Sequence, residues 1–88
     1  MAKTNWKDET RTATEYVRDA GNGNLWELAR QIGIKPERLW TWVSDPSRGF
    51  RMPTMVKVRN HLRLPIVALM QRHRPIGEVV REEEEATR

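Results

Sequence analysis

The chain has 88 residues, a formal net charge of +4 and no cysteine, which allows one small domain and excludes disulfides and thiolate metal sites. Its two histidines are far apart, no apolar run approaches the roughly 18 residues of a membrane span, and the N-terminus lacks the apolar stretch of a signal peptide. We therefore expect a cytoplasmic protein with no cofactor, no metal, and no membrane or small-molecule partner.

A first helix is predicted to end at Gly21-Asn22-Gly23, because glycine-rich turns interrupt helices. Residues Thr4–Asp8 offer several N-caps for it. Trp6 has two interpretations, a ring folded back onto the core or a semi-exposed tail residue. The predicted apolar stripe of this helix consists of Ala13, Tyr16, Val17 and Ala20, which recur at helical spacing.

Residues 25–43 predict two short helices joined by a tight turn at Gly33. Asn24 is a favourable N-cap for the first, and Gly33 ends it because glycine adopts the left-handed conformation at low cost. Pro36 suits the first position of the second helix, where its missing N–H is not needed. The predicted buried residues of the pair are Leu25, Leu28, Ala29, Ile32, Ile34, Leu39, Trp42 and Val43.

After a loop over Ser44–Gly49, a fourth helix is predicted from about Met52 to Leu62, with Met52 on its apolar face. Pro65 opens a fifth helix, whose inner stripe consists of Ile66, Leu69 and Met70. We expect four cations of this half on a solvated face: Lys57, Arg63, Arg72 and Arg74.

The charge divides the chain into a domain over residues 1–75 and an acidic tail over 76–88, either a short helix or a disordered segment. Residues 1–77 hold fourteen basic and seven acidic residues, a net of +7, whereas 78–88 hold two basic and five acidic, a net of −3. The positive charge of residues 1–77 suits a polyanionic partner, although an ordinary solvated surface of mixed charge could have the same net charge.

Ala29 lies four residues before Gly33, and Leu39 and Trp42 follow at helix-turn-helix spacing, where a small residue lets two helices approach closely. In these residues the sequence resembles the lambda repressor/Cro-like helix-turn-helix family. Residues 55–65 resemble that family's fourth helix and the turn after it, with Arg63 where glycine usually stands. The resemblance covers residues from about 12 to 71. It implies an all-α, compact bundle of about five short helices that binds double-stranded DNA as a homodimer.

The same resemblance implies that the helix over residues 36–44 reads the major groove. Glu37 would accept from cytosine N4, and Thr41 would bond a base or a phosphate. Trp40 would present an apolar surface to thymine methyls or to the sugar-phosphate backbone. Two of these assignments have an ordinary alternative: Glu37 stabilises the first turn of its helix, and Trp40 packs against the loop at Phe50 or at a protein interface. The predicted base-facing residues are Lys35, Pro36, Glu37, Trp40 and Thr41, and the remaining predicted DNA contacts are Asn24, Arg38, Ser44, Arg48 and Arg51.

Dimerisation is expected through six apolar residues of the C-terminal third, unless they close the core of the monomer: Leu64, Ile66, Met70, Ile76, Val79 and Val80. The leading hypothesis is a transcriptional repressor or regulator of phage or prophage type. One alternative is an excisionase-like factor that bends DNA, and another is a protein-binding adaptor or antitoxin. We do not expect an enzyme, because the sequence shows no nucleophile–base pair and no phosphate-binding glycine loop.

Overall fold

A computed structural model describes residues 6–45 and 47–87, which contain six α-helices and no strand. The predicted all-α class is confirmed, with one helix more than expected. None of the described helices combines the length and apolar character needed to cross a membrane. A 3-10 turn (Trp6–Asp8) precedes α1 (Ala13–Gly21), α2 (Leu25–Ile32), α3 (Pro36–Ser44), α4 (Met52–Leu62), α5 (Ile66–Met70) and α6 (Ile76–Ala86).

Helix α1 begins with a reciprocal capping box. The Glu15 amide donates to Thr12 Oγ1, and the Thr12 amide donates to Glu15 Oε1, each at 3.2 Å. The predicted N-caps are wrong within the described residues, because Trp6–Asp8 forms its own 3-10 turn. The other two candidates, Thr4 and Asn5, lie outside the described residues.

The inner face of α1 departs from the predicted stripe in its last turn. Ala13 and Val17 are fully buried, but Ala20 is exposed. Gly21 faces α2 instead, and a Cβ built on it would lie 3.3 Å from Leu25 Cδ2. Because the small Gly21 occupies the contact with α2, Ala20 is left on the solvent side.

Helices α2 and α3 are joined by a short turn, as the sequence predicts. Gly33 has φ 92°, and its amide donates to Ala29 O at 2.9 Å, which closes α2 with a left-handed residue. The next amide, that of Ile34, donates to the same oxygen at 3.0 Å. The predicted inner faces are confirmed: Leu25, Leu28, Ala29, Ile32, Leu39, Trp42 and Val43 are buried, and Ile34 packs against them from a half-buried position.

Helix α4 has the predicted bounds and ends at a left-handed arginine. Arg63 has φ 60°, and its amide donates to Arg59 O at 2.6 Å. Most L-residues avoid this conformation, in which Cβ approaches the following carbonyl. The predicted burial of Met52 is wrong, because this residue lies in the first turn, before the buried face that begins at Met55.

The predicted dimer surface is largely the core of the monomer. Leu64, Ile76 and Val79 are fully buried within one chain, so they are not available to a partner, and the prediction is wrong for them. Ile66 and Val80 are half-buried against the same core, and Met70 is exposed. The assignment of Met70 to the inner stripe of α5 is therefore wrong, and Ala68 and Leu69 are the buried residues of that helix.

The segment after residue 75 is helical, the first of the two alternatives for the acidic tail. Helix α6 continues through the glutamate run and contacts the 3-10 turn at Gly77, where a Cβ would lie 2.5 Å from Lys7 O and 2.8 Å from Trp6 O. Trp6 is partly buried and meets Tyr16 edge to face, with ring centroids 5.4 Å apart, so the folded-back interpretation is confirmed. The N-terminal turn and α6 thus pack together on one side of the bundle.

Candidate functional site

A broad, shallow depression of about 450 Å³ lies between α3 and the loop that leads to α4. Five of the ten residues predicted to contact DNA line it, three of them on α3 and two in the loop. The lining residues are Glu37, Arg38, Thr41, Trp42, Arg48, Gly49, Phe50 and Arg51. Because the depression holds three arginines and one glutamate, its charge is positive.

The rotation of α3 explains why Glu37 and Thr41 reach this surface. Successive residues of a helix turn by about 100°, so burial of Leu39, Trp42 and Val43 leaves positions 37, 41 and 44 on the opposite face. Glu37 and Ser44 are exposed and Thr41 is half-buried at the edge of the core. Pro36 occupies the first position of α3, as predicted from its missing N–H.

The loop after α3 is shaped by the carboxylate of Asp45. Its Oδ1 accepts from the Ser47 amide at 2.9 Å and from Ser47 Oγ at 2.7 Å, an arrangement typical of aspartate at turns. These two donors lower the pKa of Asp45 below its usual value. Arg48 Nε is 4.0 Å from Asp45 Oδ2, and the Arg48 side chain is 74% exposed. Its guanidinium is therefore open to an external anion.

The floor of the depression is aromatic. Phe50 stacks on Trp42 with ring centroids 4.9 Å apart and an interplanar angle of 6°. Trp42 is buried in α3, and Phe50 belongs to the loop, so this stack ties the loop to the core. The alternative that Phe50 packs with Trp40 is wrong, because Trp42 faces the loop and Trp40 does not.

Arg72 belongs to this region, and its expected place on a solvated face is wrong. The side chain is buried at 5% exposure, its Nη2 donates to Asp45 O at 2.6 Å, and its guanidinium carbon lies 5.4 Å from the Trp42 ring centroid. Burial lowers the pKa of Arg72, an effect opposed by the nearby negative charge of Asp45. Arg72 lies beyond the end of α5 at Met70, so helical spacing provides no signal of its burial.

The other three cations expected on a solvated face behave differently from Arg72. Lys57 and Arg63 are exposed, as expected, and Lys57 Nζ lies 3.4 Å from Gly33 O in the turn after α2. Arg74 is half-buried and forms ion pairs with Glu78 and Glu82 of α6. The acidic helix is therefore partly neutralised by the chain's own arginine.

Trp40 lies on a neighbouring surface, apart from the lining of the depression. Together with Trp26 it borders a second open groove of about 420 Å³, which also includes Arg18, Gly23 and Leu25. The two tryptophans are 54% and 56% exposed, values high for such large apolar rings. More than half of the surface of each tryptophan therefore faces solvent.

The remaining sequence-predicted contacts lie at helix starts. Asn24 Oδ1 accepts from the Glu27 amide at 3.1 Å, so its carboxamide caps α2. Lys35 is exposed and precedes α3 without a side-chain capping bond. Neither residue lines the depression. No family model matches the sequence, and neither curated proteins nor solved structures show a match to it.

Proposed function

We propose that this protein binds double-stranded DNA sequence-specifically and acts as a small transcriptional repressor or regulator. The observation that carries the proposal is the depression beside α3, where Arg38, Arg48 and Arg51 surround the outward residues Glu37 and Thr41. Exposed arginines suit phosphate oxygens, and short polar side chains on an outward helix face suit base edges. The role is one of binding without catalysis.

In the proposed complex, α3 lies in the major groove, which is about 12 Å wide and admits a helix. Glu37 accepts from cytosine N4, and Thr41 contacts a base through its hydroxyl or its methyl group. The three arginines neutralise phosphates beside the groove, where Lys35 adds a fourth positive charge. The amides at the start of α2, next to Asn24, meet a further phosphate.

The connection between α2 and α3 supports this mode of binding. A steep pair of helices around a short glycine turn leaves one helix face free, which is the requirement of a helix-turn-helix. Here the buried residues lie on the inner faces, and Glu37 and Ser44 on the outer face of α3 are exposed. The likeness in sequence to the lambda repressor/Cro-like family points the same way.

Regulators of this kind bind two half-sites as homodimers, so we include a homodimer on DNA in the proposal. Of the predicted dimer residues, Met70 is exposed and Ile66 and Val80 are half-buried, and these three are the apolar groups open to a second copy.

Selection of bound sequences from random duplex DNA tests the whole proposal. It is expected to yield a palindromic site with half-sites about one helical turn apart. Recovery of no preferred sequence would contradict sequence-specific binding.

One observation favours a second candidate function, that of a protein-binding adaptor or antitoxin. Trp26 and Trp40 are both more than half exposed beside one groove, and aromatic residues are enriched at protein interfaces. The double substitution of both tryptophans by alanine separates the two functions. Retained DNA binding by this variant would show that neither ring is needed for DNA, which leaves the groove free for a protein partner. Loss of DNA binding by a variant that still folds would assign the rings to the DNA complex. An excisionase-like role differs in its strong DNA bending, which gel mobility of permuted sites measures.

A further inference from the structure

The buried guanidinium of Arg72 contacts the loop that carries two of the three arginines of the candidate site. Its Nη2 donates at 2.6 Å to Asp45 O, and the same oxygen accepts from the Arg48 amide at 3.1 Å. The carbonyl at the start of the loop therefore receives one bond from the core and one from the loop itself. A movement of the Arg72 side chain would therefore change the hydrogen bonding of Asp45 O, the same oxygen that accepts from the Arg48 amide.

Arg72 is itself held from the other side. Its carbonyl oxygen accepts from the Thr14 amide at 3.4 Å, and Thr14 Oγ1 lies 3.5 Å from the same oxygen. Thr14 is buried in the first turn of α1. The backbone of Arg72 is thus attached to α1 and its side chain to the loop, and the residue connects the two.

We propose that Arg72 is a positioning residue, which holds loop residues 45 and 47–51 so that Arg48 and Arg51 meet DNA phosphates. That the ligand is DNA rests on the proposed function, whereas the positioning itself rests on the two hydrogen bonds to Asp45 O. A loop ordered before binding loses less conformational freedom when the complex forms, so the same phosphate contacts give tighter binding.

The chemistry of the contact requires arginine in particular. A planar guanidinium can lie over the face of Trp42 and still donate to Asp45 O from its edge. A lysine ammonium is compact and strongly hydrated. It lacks the planar group that lies over Trp42 and the fixed set of N–H donors at the edge of that group. A methionine fills similar volume without any donor. If position 72 served only to fill the core, methionine would be an adequate substitute.

The test compares Arg72→Met and Arg72→Lys with Val58→Ala, a variant that destabilises the buried face of α4, outside the loop sequence. Three readouts are needed: stability by urea unfolding, amide exchange at Arg48, and affinity for a mixed-sequence duplex of about 30 base pairs, or three helical turns. Loss of a hydrogen bond from a charged donor predicts about tenfold weaker DNA binding in both Arg72 variants. The same variants are expected to show faster exchange of the Arg48 amide, while Val58→Ala retains wild-type affinity and exchange.

Two results overturn the inference. One is an Arg72→Met protein that binds duplex DNA as well as Val58→Ala does at matched stability. The other is unchanged exchange of the Arg48 amide in both Arg72 variants, which overturns the positioning role whether or not DNA binds. A wild-type protein that binds no duplex even at low salt contradicts the proposed function instead, and leaves the exchange measurement to decide the role of Arg72.

Discussion

The ring of Phe50 lies parallel to that of Trp42, with 4.9 Å between the centroids. This stack joins a loop residue to a buried residue of α3, so it forms the floor of the depression and also limits the movement of the loop. Aromatic pairs contribute about 0.5–1.5 kcal/mol beyond the area they bury. The geometry of the proposed DNA contacts therefore depends on an apolar contact beneath them.

We expect Phe50→Leu to lower the free energy of unfolding by about 1 kcal/mol, because leucine retains much of the buried area and loses the stacking. Phe50→Ala should cost more, about 1–3 kcal/mol, since it also exposes part of Trp42. Urea unfolding followed by circular dichroism measures both. Equal stability of the alanine variant and the wild type would show that the stack does not hold the loop.

Gly77 predicts a steric requirement between α6 and the N-terminal turn. In Gly77→Ala the new Cβ would lie 2.5 Å from Lys7 O, so one of the two segments must move. We expect a loss of about 1–3 kcal/mol in thermal unfolding, despite the better helix propensity of alanine. Gly49→Ala is the control, because no atom of the described residues lies within 4 Å of its Cβ, and its effect should stay within about 0.5 kcal/mol. Similar stabilities of the two variants would contradict this packing.

Arg63 offers a stabilising substitution. It ends α4 at φ 60°, where a side chain is unfavourable, so Arg63→Gly should raise the free energy of unfolding by about 0.5–1 kcal/mol. Asn22 adopts a similar left-handed conformation at φ 48°, but asparagine tolerates it, and Asn22→Gly should change stability much less. Urea unfolding of both variants provides the comparison. Destabilisation by Arg63→Gly would mean that the arginine side chain contributes more than its backbone costs.

Asp45 gives a prediction on pH. Because the pKa of Asp45 is lowered in the folded protein by donors from Ser47, its ionised form stabilises the fold at pH values above the usual pKa of about 3.9. That contribution is lost as the pH falls through the lowered pKa. Asp45→Asn keeps an oxygen acceptor for Ser47 and removes the charge, so the variant should be less stable than the wild type at neutral pH. The difference should disappear in strong acid, and a difference independent of pH would contradict the assignment.

The helices that form the candidate site follow from local sequence rules. Periodic apolar residues, Gly33 in a left-handed turn and Pro36 at a helix start each act over a few positions, so α2 and α3 could be predicted with their buried faces. Glu37 and Thr41 then follow as outward residues from the rotation of one helix. The presence of Arg48 and Arg51 beside them depends only on a short loop.

Contacts between segments that are distant in the sequence could not be predicted from these local rules. Leu64, Ile76 and Val79 are apolar whether they meet their own chain or a second one, and only the packing shows that they belong to the core of the monomer. Arg72 carries a charge, which favours solvent in any local pattern, yet Trp42 and Asp45 compensate its burial from another part of the chain. Both errors arise because burial is a property of the tertiary structure.

The salt dependence of DNA affinity tests the central claim, that the depression beside α3 binds the DNA backbone. Four phosphate contacts, from Arg38, Arg48 and Arg51 of the depression and from Lys35 beside it, predict about 150-fold weaker binding between about 50 and 200 mM salt. Arg48→Ala and Arg51→Ala should each reduce the slope of log affinity against log salt by about 1, whereas Arg59→Ala, exposed on α4 and outside the depression, should not change it. Affinity that does not vary with salt, or equal slopes in all three variants and the wild type, would contradict the claim.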